Sequence, residues 1–408
     1  MRISTNQLYD QNIRAIMDNQ SGLADTQQQL STGKKINRPS DDPVGTAKVL
    51  RMTEELASLE QYQRNTDLVT GSLEQQETIL RNITDSVNRA RVLTIQAGDG
   101  LLSDADRKAL ASEIGQIKDE VFDLMNSQNA EGDYYFSGYQ SESQPFVLNA
   151  GGTGNAYTYQ GDSGSNEVQL SNSVKVRSSA SGQSVFEDVA ARRNFTITGN
   201  AGITVDEALV AGQGDFDTFY KNNYDPLTAA NNDYRITITA PNQVQIQNLG
   251  TGSVVATKDF TSGEPFSFAG IDFNLQGGTG NTLDFQLDAP QKKNIATTLY
   301  DLQQVLNNDQ VGDAAYREAL SDALVGIDNG LEKIAFETSS IGARLNVAQS
   351  VYETNLDLEV STKEARSAIQ DVDYAEASAE FAKQEAALTA ALTTFPRISN
   401  LSLFNYIS

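Results

Sequence analysis

The stretch from Leu59 to Ala90 decides the fold of this chain, and it reads LEQYQRNTDLVTGSLEQQETILRNITDSVNRA. Mostly apolar side chains recur in it at alternating steps of three and four residues. The recurring positions are Leu59, Tyr62, Thr66, Val69, Leu73, Gln76, Leu80, Ile83, Val87 and Ala90. Such steps, sustained over about four heptads, are typical of a coiled coil or a long bundle helix. The sequence therefore predicts a long helix that packs against a partner.

Residues just before this stretch mark where the helix begins. Ser40, Asp41 and Asp42 offer side-chain caps, and Pro43 follows at the first helical position, where its missing N–H is harmless. The two carboxylates are better explained as caps than as an acid–base or metal pair, because they gain from the positive end of the helix dipole. Gly98-Asp99-Gly100 ends the helix, and a capping box at Ser103 opens a third helix.

An earlier helical segment occupies the start of the chain. Its apolar side chains, Tyr9, Ile16, Leu23 and Leu30, lie seven residues apart. Ile13, Gln20 and Gln27 fill the alternate seam positions, so that the seam is partly polar, and Gly33 ends the segment. A partly polar seam favours a packed partner over a dry core.

The C-terminal region mirrors the N-terminal one. A short helix is predicted from Ile295 to Leu306, and a second long seam runs from Leu320 to Tyr352. The last seam comprises Tyr374, Ala377, Phe381, Gln384, Leu388, Ala391, Phe395 and Ile398. Pro396 should bend or end that helix, because proline lacks the N–H that the helix requires.

The middle of the chain changes to a period of two, which predicts strands. Residues 234–239 and 244–247 alternate about Pro241-Asn242 and indicate a hairpin. The fold class is therefore mixed α and β: a long antiparallel helical bundle, built from both chain ends, carries an inserted, mainly antiparallel β domain. The predicted domains are an N-terminal assembly helix (1–37, paired with 364–408), the two halves of a bundle (38–136 and 290–363), a β insertion (137–289) and a C-terminal assembly helix (364–408).

Composition argues against several functions. The 408 residues include no Cys and no His, which removes thiolate and imidazole metal ligands and every Ser–His or Cys–His catalytic scheme. No cofactor, no metal and no enzyme activity are expected. The 54 acidic and 30 basic residues give a net charge of −24, which argues against nucleic acid and anionic lipid. No apolar run is long enough to cross a bilayer, so no membrane insertion is expected.

Three stretches of the sequence resemble the flagellin-like family of bacterial flagellar axial proteins, and within it the hook–filament junction proteins. They are the start, MRIST, the segment LSTGKKINRPSDDP at 30–43, and the ending NLSLFNYI at 400–407. The resemblance covers both helical regions. It implies a secreted structural subunit of the flagellum whose terminal helices form an inner tube, while the β domain faces outward.

The resemblance also implies partners. Hook-associated protein 1 and flagellin are the expected neighbours, further copies of the chain complete the assembly, and a cytoplasmic export chaperone holds the C-terminal helix. We expect the assembly contacts from the seams and the ending: Tyr9, Ile13, Ile16, Leu23, Leu30, Phe381, Leu388, Phe395, Leu401, Leu403 and Phe404. Gly33, Ser40, Asp41, Asp42 and Pro43 are expected to form structural turns and caps.

Two other functions remain open on the sequence. One is flagellin itself, against which the Asp-Asp-Pro turn and the Phe-Asn-Tyr-Ile ending argue. The other is a surface adhesin or binding module that uses the β domain to recognise a glycan or a host protein.

Overall fold

The computed structural model describes the backbone of residues 5–100, 102–149, 154–308 and 311–404. Long helices stand at both ends of the chain, with short strands between them. The helices are α1 (Thr5–Thr32), α2 (Pro43–Ala97), α3 (Asp104–Met125), α4 (Gln213–Asn223), α5 (Ile295–Asn307), α6 (Asp313–Gln370) and α7 (Tyr374–Phe404).

Twelve strands are described between α3 and α5. They are β1 (Phe146–Leu148), β2 (Tyr157–Tyr159), β3 (Glu167–Gln169), β4 (Lys175–Arg177), β5 (Phe195–Ala201), β6 (Thr204–Val210), β7 (Asp233–Ala240), β8 (Gln243–Asn248), β9 (Val254–Asp259), β10 (Pro265–Phe268), β11 (Ile271–Gln276) and β12 (Thr282–Leu287). Long helices at the ends with an antiparallel β region between them confirm the predicted fold class.

The described residues divide into two compact units. One comprises the described parts of Met1–Leu68, Gln169–Lys175 and Ala348–Ser408, and the other those of Val69–Val168 and Val176–Val347. The first unit contains α1, α7 and the neighbouring parts of α2 and α6. The second contains the remaining helices and nearly all of the strands.

The helical part of the second unit buries the seam from which the sequence analysis began. Leu73, Leu80, Ile83 and Val87 of α2 are fully buried. Further side chains of the same unit, from α3, α5 and α6, are also buried: Ile114, Val121, Leu299, Leu302, Ile327 and Ile334. Removing these apolar side chains from water supplies the main stabilisation of the bundle, about 1.5–3 kcal/mol for each large one.

The β region of the same unit is built around its own apolar core. One antiparallel sheet has the strand order β5-β12-β7-β8-β9, and a second has the order β10-β11-β6. The predicted hairpin is present, with Ile236 opposite Ile246 in β7 and β8. A continuous cluster of buried side chains from 195 to 287 joins both sheets and α4.

Two findings differ from the sequence-based expectations. Helix α7 continues to Phe404, so Pro396 does not end it. Near the end of a helix, proline forfeits a single backbone hydrogen bond, and the preceding turns hold the conformation. Helix α4 was not anticipated inside the β domain, although Phe216 and Tyr220 are both buried and lie four residues apart, as on one face of a helix.

Candidate assembly surface at the chain ends

The first and last helices pack against each other within the first unit. Thr26 of α1 is buried, and its hydroxyl donates a hydrogen bond of 2.9 Å to Oε1 of Gln384 in α7. Gly22 lies beside this contact, and a Cβ at position 22 would come within 3.4 Å of the Gln384 amide nitrogen. That distance is an ordinary van der Waals contact, so an alanine at position 22 would also fit beside the amide side chain.

The apolar seams of these two helices are only half covered within one chain. Ile13, Ile16, Leu23 and Leu30 of α1 are all half-buried, in contrast to the fully buried seam of α2 in the second unit. Phe381 and Leu388 of α7 are half-buried too. The two helices thus cover part of each other's seam and leave apolar surface open. The side chains of Tyr9, Phe395, Leu401, Leu403 and Phe404 lie outside the described residues.

A backbone junction joins the two helices at their inner ends. Segments 33–35 and 370–372, which we call the clasp, exchange two hydrogen bonds: Lys35 N–H donates to the Gln370 carbonyl (2.7 Å) and Val372 N–H donates to the Gly33 carbonyl (3.0 Å). Gly33 has a φ of +70° and ends α1 by donating its N–H to the Gln29 carbonyl. A side chain at position 33 would meet the Tyr374 hydroxyl at 2.9 Å. Glycine is therefore favoured there by its conformation, whereas the Tyr374 hydroxyl, at the end of an exposed side chain, could move aside.

The turn after the clasp holds the start of α2. Asp42 Oδ1 accepts hydrogen bonds from the N–H groups of Val44 (3.1 Å) and Gly45 (2.9 Å), so this carboxylate caps the helix that begins at Pro43. Asp41 acts on the preceding turn, where its Oδ2 accepts from the N–H of Arg38 at 2.8 Å. The two carboxylates thus hold backbone N–H groups on opposite sides of one turn.

Ser40 contributes less to this turn, because its hydroxyl makes a long contact of 3.4 Å with Asp41 Oδ1.

Farther along the first unit, α2 and α6 share a polar contact in which Gln63 Nε2 donates to Glu359 Oε2 at 2.6 Å. The hydrogen bond from Lys363, followed by that from Gln63, lowers the pKa of the Glu359 carboxyl. Glu359 therefore stays ionised on the surface of the helix pair.

Metal-binding groups and membrane-spanning helices are both absent from the described residues. Among the described residues, no group of three or more acidic, His or Cys side chains is placed to hold a metal ion. No described helix combines the length and apolar character needed to cross a bilayer. The half-covered seams of α1 and α7 leave apolar surface on both helices.

Sequence reasoning missed Thr26. The heptad count placed Gln27 on the seam, but Gln27 is exposed and Thr26 is buried. Asn19 and Thr26, seven residues apart, are covered, whereas Gln20 is exposed like Gln27. The covered row therefore lies three residues after Ile16 and Leu23, and the heptad count placed it four residues after them. Gln384, in contrast, lies where the last seam placed it.

Comparisons with known proteins show which proteins this chain is similar to. The family described as bacterial flagellin N-terminal helical region matches residues 3–141. Flagellar hook-associated protein 3 of Salmonella typhimurium is 35% identical over 152 residues, which cover 37% of this chain and 48% of that protein. Its namesake from Escherichia coli K12 is 29% identical over 216 residues, which cover 52% of this chain and 66% of that protein. The matches therefore span about half and about two thirds of these curated relatives.

A solved structure matches over a greater length. The crystal structure of flagellar hook-associated protein 3 from Legionella pneumophila has a TM-score of 0.59 and 25% identity, and covers 78% of this chain and 98% of that one. Flagellins are only distantly related, as with the Listeria monocytogenes protein, 30% identical over 32% of this chain. These matches confirm the resemblance predicted from the sequence. The chain is a homologue of proteins named flagellar hook-associated protein 3 and contains a match to the flagellin N-terminal helical region.

Proposed function

We propose that this chain is a structural subunit of the bacterial flagellum that joins the hook to the flagellin filament and is needed for filament assembly and motility. The observation that carries the proposal is the pairing of α1 with α7. Thr26 and Gln384 are hydrogen-bonded across it, whereas the apolar seam residues of both helices are only half-buried. Its homologues named hook-associated protein 3 support the same role. The subunit works outside the cell, at the hook–filament junction.

The half-open seam explains why such a subunit works as one of many copies. Each large apolar side chain gains about 1.5–3 kcal/mol when it becomes fully buried, whereas ordering the backbone costs about 1–2 kcal/mol per residue. Within one chain, the burial of two half-covered seams provides too little free energy to offset the cost of ordering the backbone of both helices. Neighbouring subunits in a helical lattice supply the missing contacts through repeated interfaces.

The partners follow from this position. Hook-associated protein 1 lies on the hook side, flagellin lies on the filament side, and further copies of the chain complete the ring. Before export, a cytoplasmic chaperone covers the apolar face of α7, as a groove captures an amphipathic helix. The subunit is not an enzyme, in keeping with a sequence that holds neither His nor Cys.

The test is deletion of the gene followed by microscopy and assay of the culture medium. We expect hooks without filaments and flagellin lost to the medium, because flagellin is exported but finds no platform. Loss of flagellin from both cell surface and medium would identify the chain as flagellin instead. Normal filaments with impaired attachment to surfaces would favour an adhesin, and either result would overturn the junction role.

A further inference from the structure

Three basic side chains lie close together just after α1, in a chain with a net charge of −24. Lys34, Lys35 and Arg38 are all exposed. Among the described residues, none of the three forms an ion pair with an acidic side chain, and Arg38 makes only a long contact of 3.5 Å with Gln28 Oε1. We call Lys34, Lys35 and Arg38 the basic turn.

The carboxylates around the basic turn bind other groups of the same chain. Asp41 and Asp42 accept hydrogen bonds from backbone N–H groups at the start of α2 and in the turn before it. Asp371 accepts from the Ser367 hydroxyl, and Asp373 accepts from N–H groups in the first turn of α7. The basic turn therefore lacks acidic acceptors of its own, and carboxylates of another molecule would supply them as charge-assisted hydrogen bonds.

A groove with a volume of about 540 Å³ lies elsewhere in the first unit, between α2, α6 and the turn of the β3–β4 hairpin. Its apolar lining includes Leu59, Val351 and Leu358. Leu59 is buried, whereas Leu358 is 46% exposed, so apolar surface is open to a ligand. Lysine and arginine place their aliphatic stems on such surface and keep the charged end at the rim.

Side chains of the two helices hold the hairpin turn in place. The Tyr62 hydroxyl of α2 donates to Oδ1 of Asn172 at 3.0 Å. Asn355 of α6 is buried, and its Nδ2 donates to the Leu170 carbonyl at 2.8 Å. The groove is therefore formed before a partner arrives, and binding there requires little ordering of the protein.

The rim of the groove is mainly acidic. Glu55 belongs to the lining, and three further carboxylates are next to lining residues in the sequence: Glu54, Glu353 and Asp357. All four side chains are exposed. One basic residue, Lys175, follows the lining residue Val174. We call this groove and its four carboxylates the acidic groove. It offers the acceptors and the apolar surface that the basic turn lacks.

The basic turn and the acidic groove are too far apart to meet within one chain. Lys35 N–H donates to the Gln370 carbonyl, and the lining residue Thr354 lies sixteen residues earlier on α6, about 24 Å along the helix. Two different surfaces that complement each other bind head to tail between copies in the same orientation. A ring or a helical lattice repeats such a contact from subunit to subunit.

We infer that the basic turn of one copy binds the acidic groove of a neighbouring copy in the same orientation. The stems of the lysines and the arginine cover the apolar lining, and their charges meet the carboxylates of the rim. This inference rests on the proposed function as an assembly subunit, and it names one contact between neighbouring subunits that does not involve the half-covered seams.

A disulfide cross-link between introduced cysteines tests the contact directly, because the chain has no cysteine of its own. The full-length double variant Lys35→Cys, Thr354→Cys is expressed in a strain without the native gene. Its isolated flagella are oxidised mildly and separated on non-reducing gels. A disulfide requires Cα atoms about 4.4–6.8 Å apart, so the two cysteines cannot pair within one chain.

We expect multimers of the chain that disappear on reduction, about tenfold or more above the amount from either single variant. The matched control is Lys221→Cys with Thr354→Cys, because Lys221 is another exposed basic residue, on α4. Filaments that form without these multimers would overturn the inference. Equal multimers from the control would overturn it too.

A charge exchange provides a second measurement. Replacing Lys34, Lys35 and Arg38 by Glu should lower the number of filaments per cell about tenfold or more, because like charges would then meet. Adding the changes Glu55→Lys, Glu353→Lys and Asp357→Lys to the same chain should restore most of the filaments.

A role of the basic turn in folding alone would not be restored by changes in the groove. Failure of this rescue, or full filament numbers in the first variant, would therefore contradict the inference. The gene deletion decides the junction role by whether filaments form without the chain, so each proposal can fail while the other stands.

Discussion

The hydroxyl of Thr26 and the side-chain amide of Gln384, 358 residues apart in sequence, form a hydrogen bond of 2.9 Å. This contact lies where α1 and α7 pack, and the half-buried Leu388 follows one helical turn later along α7. The surface around this contact is therefore the part of the chain on which substitutions should separate folding from assembly.

Leu388→Asp should abolish assembly while hardly changing the melting temperature of the soluble monomer. In the assembled state the carboxylate would be buried without a partner, which costs several kcal/mol. In the monomer the side chain stays partly in water. Motility of a strain with only this variant, together with calorimetry of the purified chain, measures both effects. A large fall in the monomer's melting temperature would contradict the prediction and place Leu388 in a monomer core.

Proteases should trim the free monomer before about Asn37 and after about Lys363. The half-covered seams cannot offset the backbone entropy of about 1–2 kcal/mol per ordered residue. Mass spectrometry of the resistant core gives the limits, and amide exchange should show the same ones. The prediction fails if Leu23 and Leu388 are protected as strongly as Leu80 and Leu331.

Gly33→Ala should weaken assembly, since alanine at a φ of +70° costs about 1 kcal/mol and its Cβ would meet the Tyr374 hydroxyl at 2.9 Å. Filament number per cell and motility are the measurements. Gly71→Ala is a matched control, because a Cβ there meets no atom within 4 Å and alanine favours the helix. Equal effects of the two substitutions would show that the clasp does not matter.

Residues 195–287 should be removable without loss of the junction. Asp288 N–H donates to the Asn194 carbonyl at 3.1 Å, so the chain enters and leaves this part side by side. The core of 195–287 is its own, whereas Tyr157, earlier in the insertion, packs on Phe122 of α3 with ring centroids 4.9 Å apart. A short Gly/Ser link replacing 195–287 should therefore preserve export and motility. An exported variant that leaves cells without filaments would disprove this.

Alkaline pH should destabilise the second unit through Tyr220. Burial, with a smaller contribution from Tyr224, raises the pKa of the Tyr220 phenol to about 12. A raised pKa means that the neutral form is favoured in the folded state. The stability that this provides is complete below the ordinary tyrosine pKa near 10 and is lost as pH rises through about 12.

The Tyr220→Phe variant tests this because it cannot ionise. Its melting temperature should fall less than that of the parent chain between pH 10 and 12, and measurements at pH 8 provide the baseline for each. Tyr220→Phe also removes the hydrogen bond to the Asp288 carbonyl, which lowers stability equally at every pH. Parallel melting curves for the two proteins across this range would refute the prediction.

Much of the helical part could be predicted from the sequence, because apolar spacing and end signals act locally. The start of α2 at Pro43 and the end of α1 before Gly33 agree with their cap and glycine signals. The place of Thr26 could not be predicted, because a heptad allows a step of three or of four residues after Leu23, and only the structure shows that the step is three. Helix α4 was missed because it is short and lies among strands, where alternation dominates the pattern.

The assembly residues are the least predictable part. Half-buried side chains such as Ile16 and Phe381 follow the apolar pattern, but that pattern does not distinguish a contact within one chain from a contact between chains. The difference depends on which surfaces a lattice brings together. The assembly roles of these residues therefore stay predictions until the substitutions above are made.

The clasp affects where the sequence of such a protein can accept insertions and deletions. Its two hydrogen bonds join residues 33–35 directly to residues 370–372, so the chain between them begins and returns at one point. The alignment of α1 with α7 is set locally and does not depend on the length of the intervening chain. Insertions and deletions elsewhere leave the alignment of α1 with α7 unchanged. A single residue inserted between Gly33 and Lys35 would instead shift α1 along α7. The middle of the molecule is free to diversify, and the ends are not.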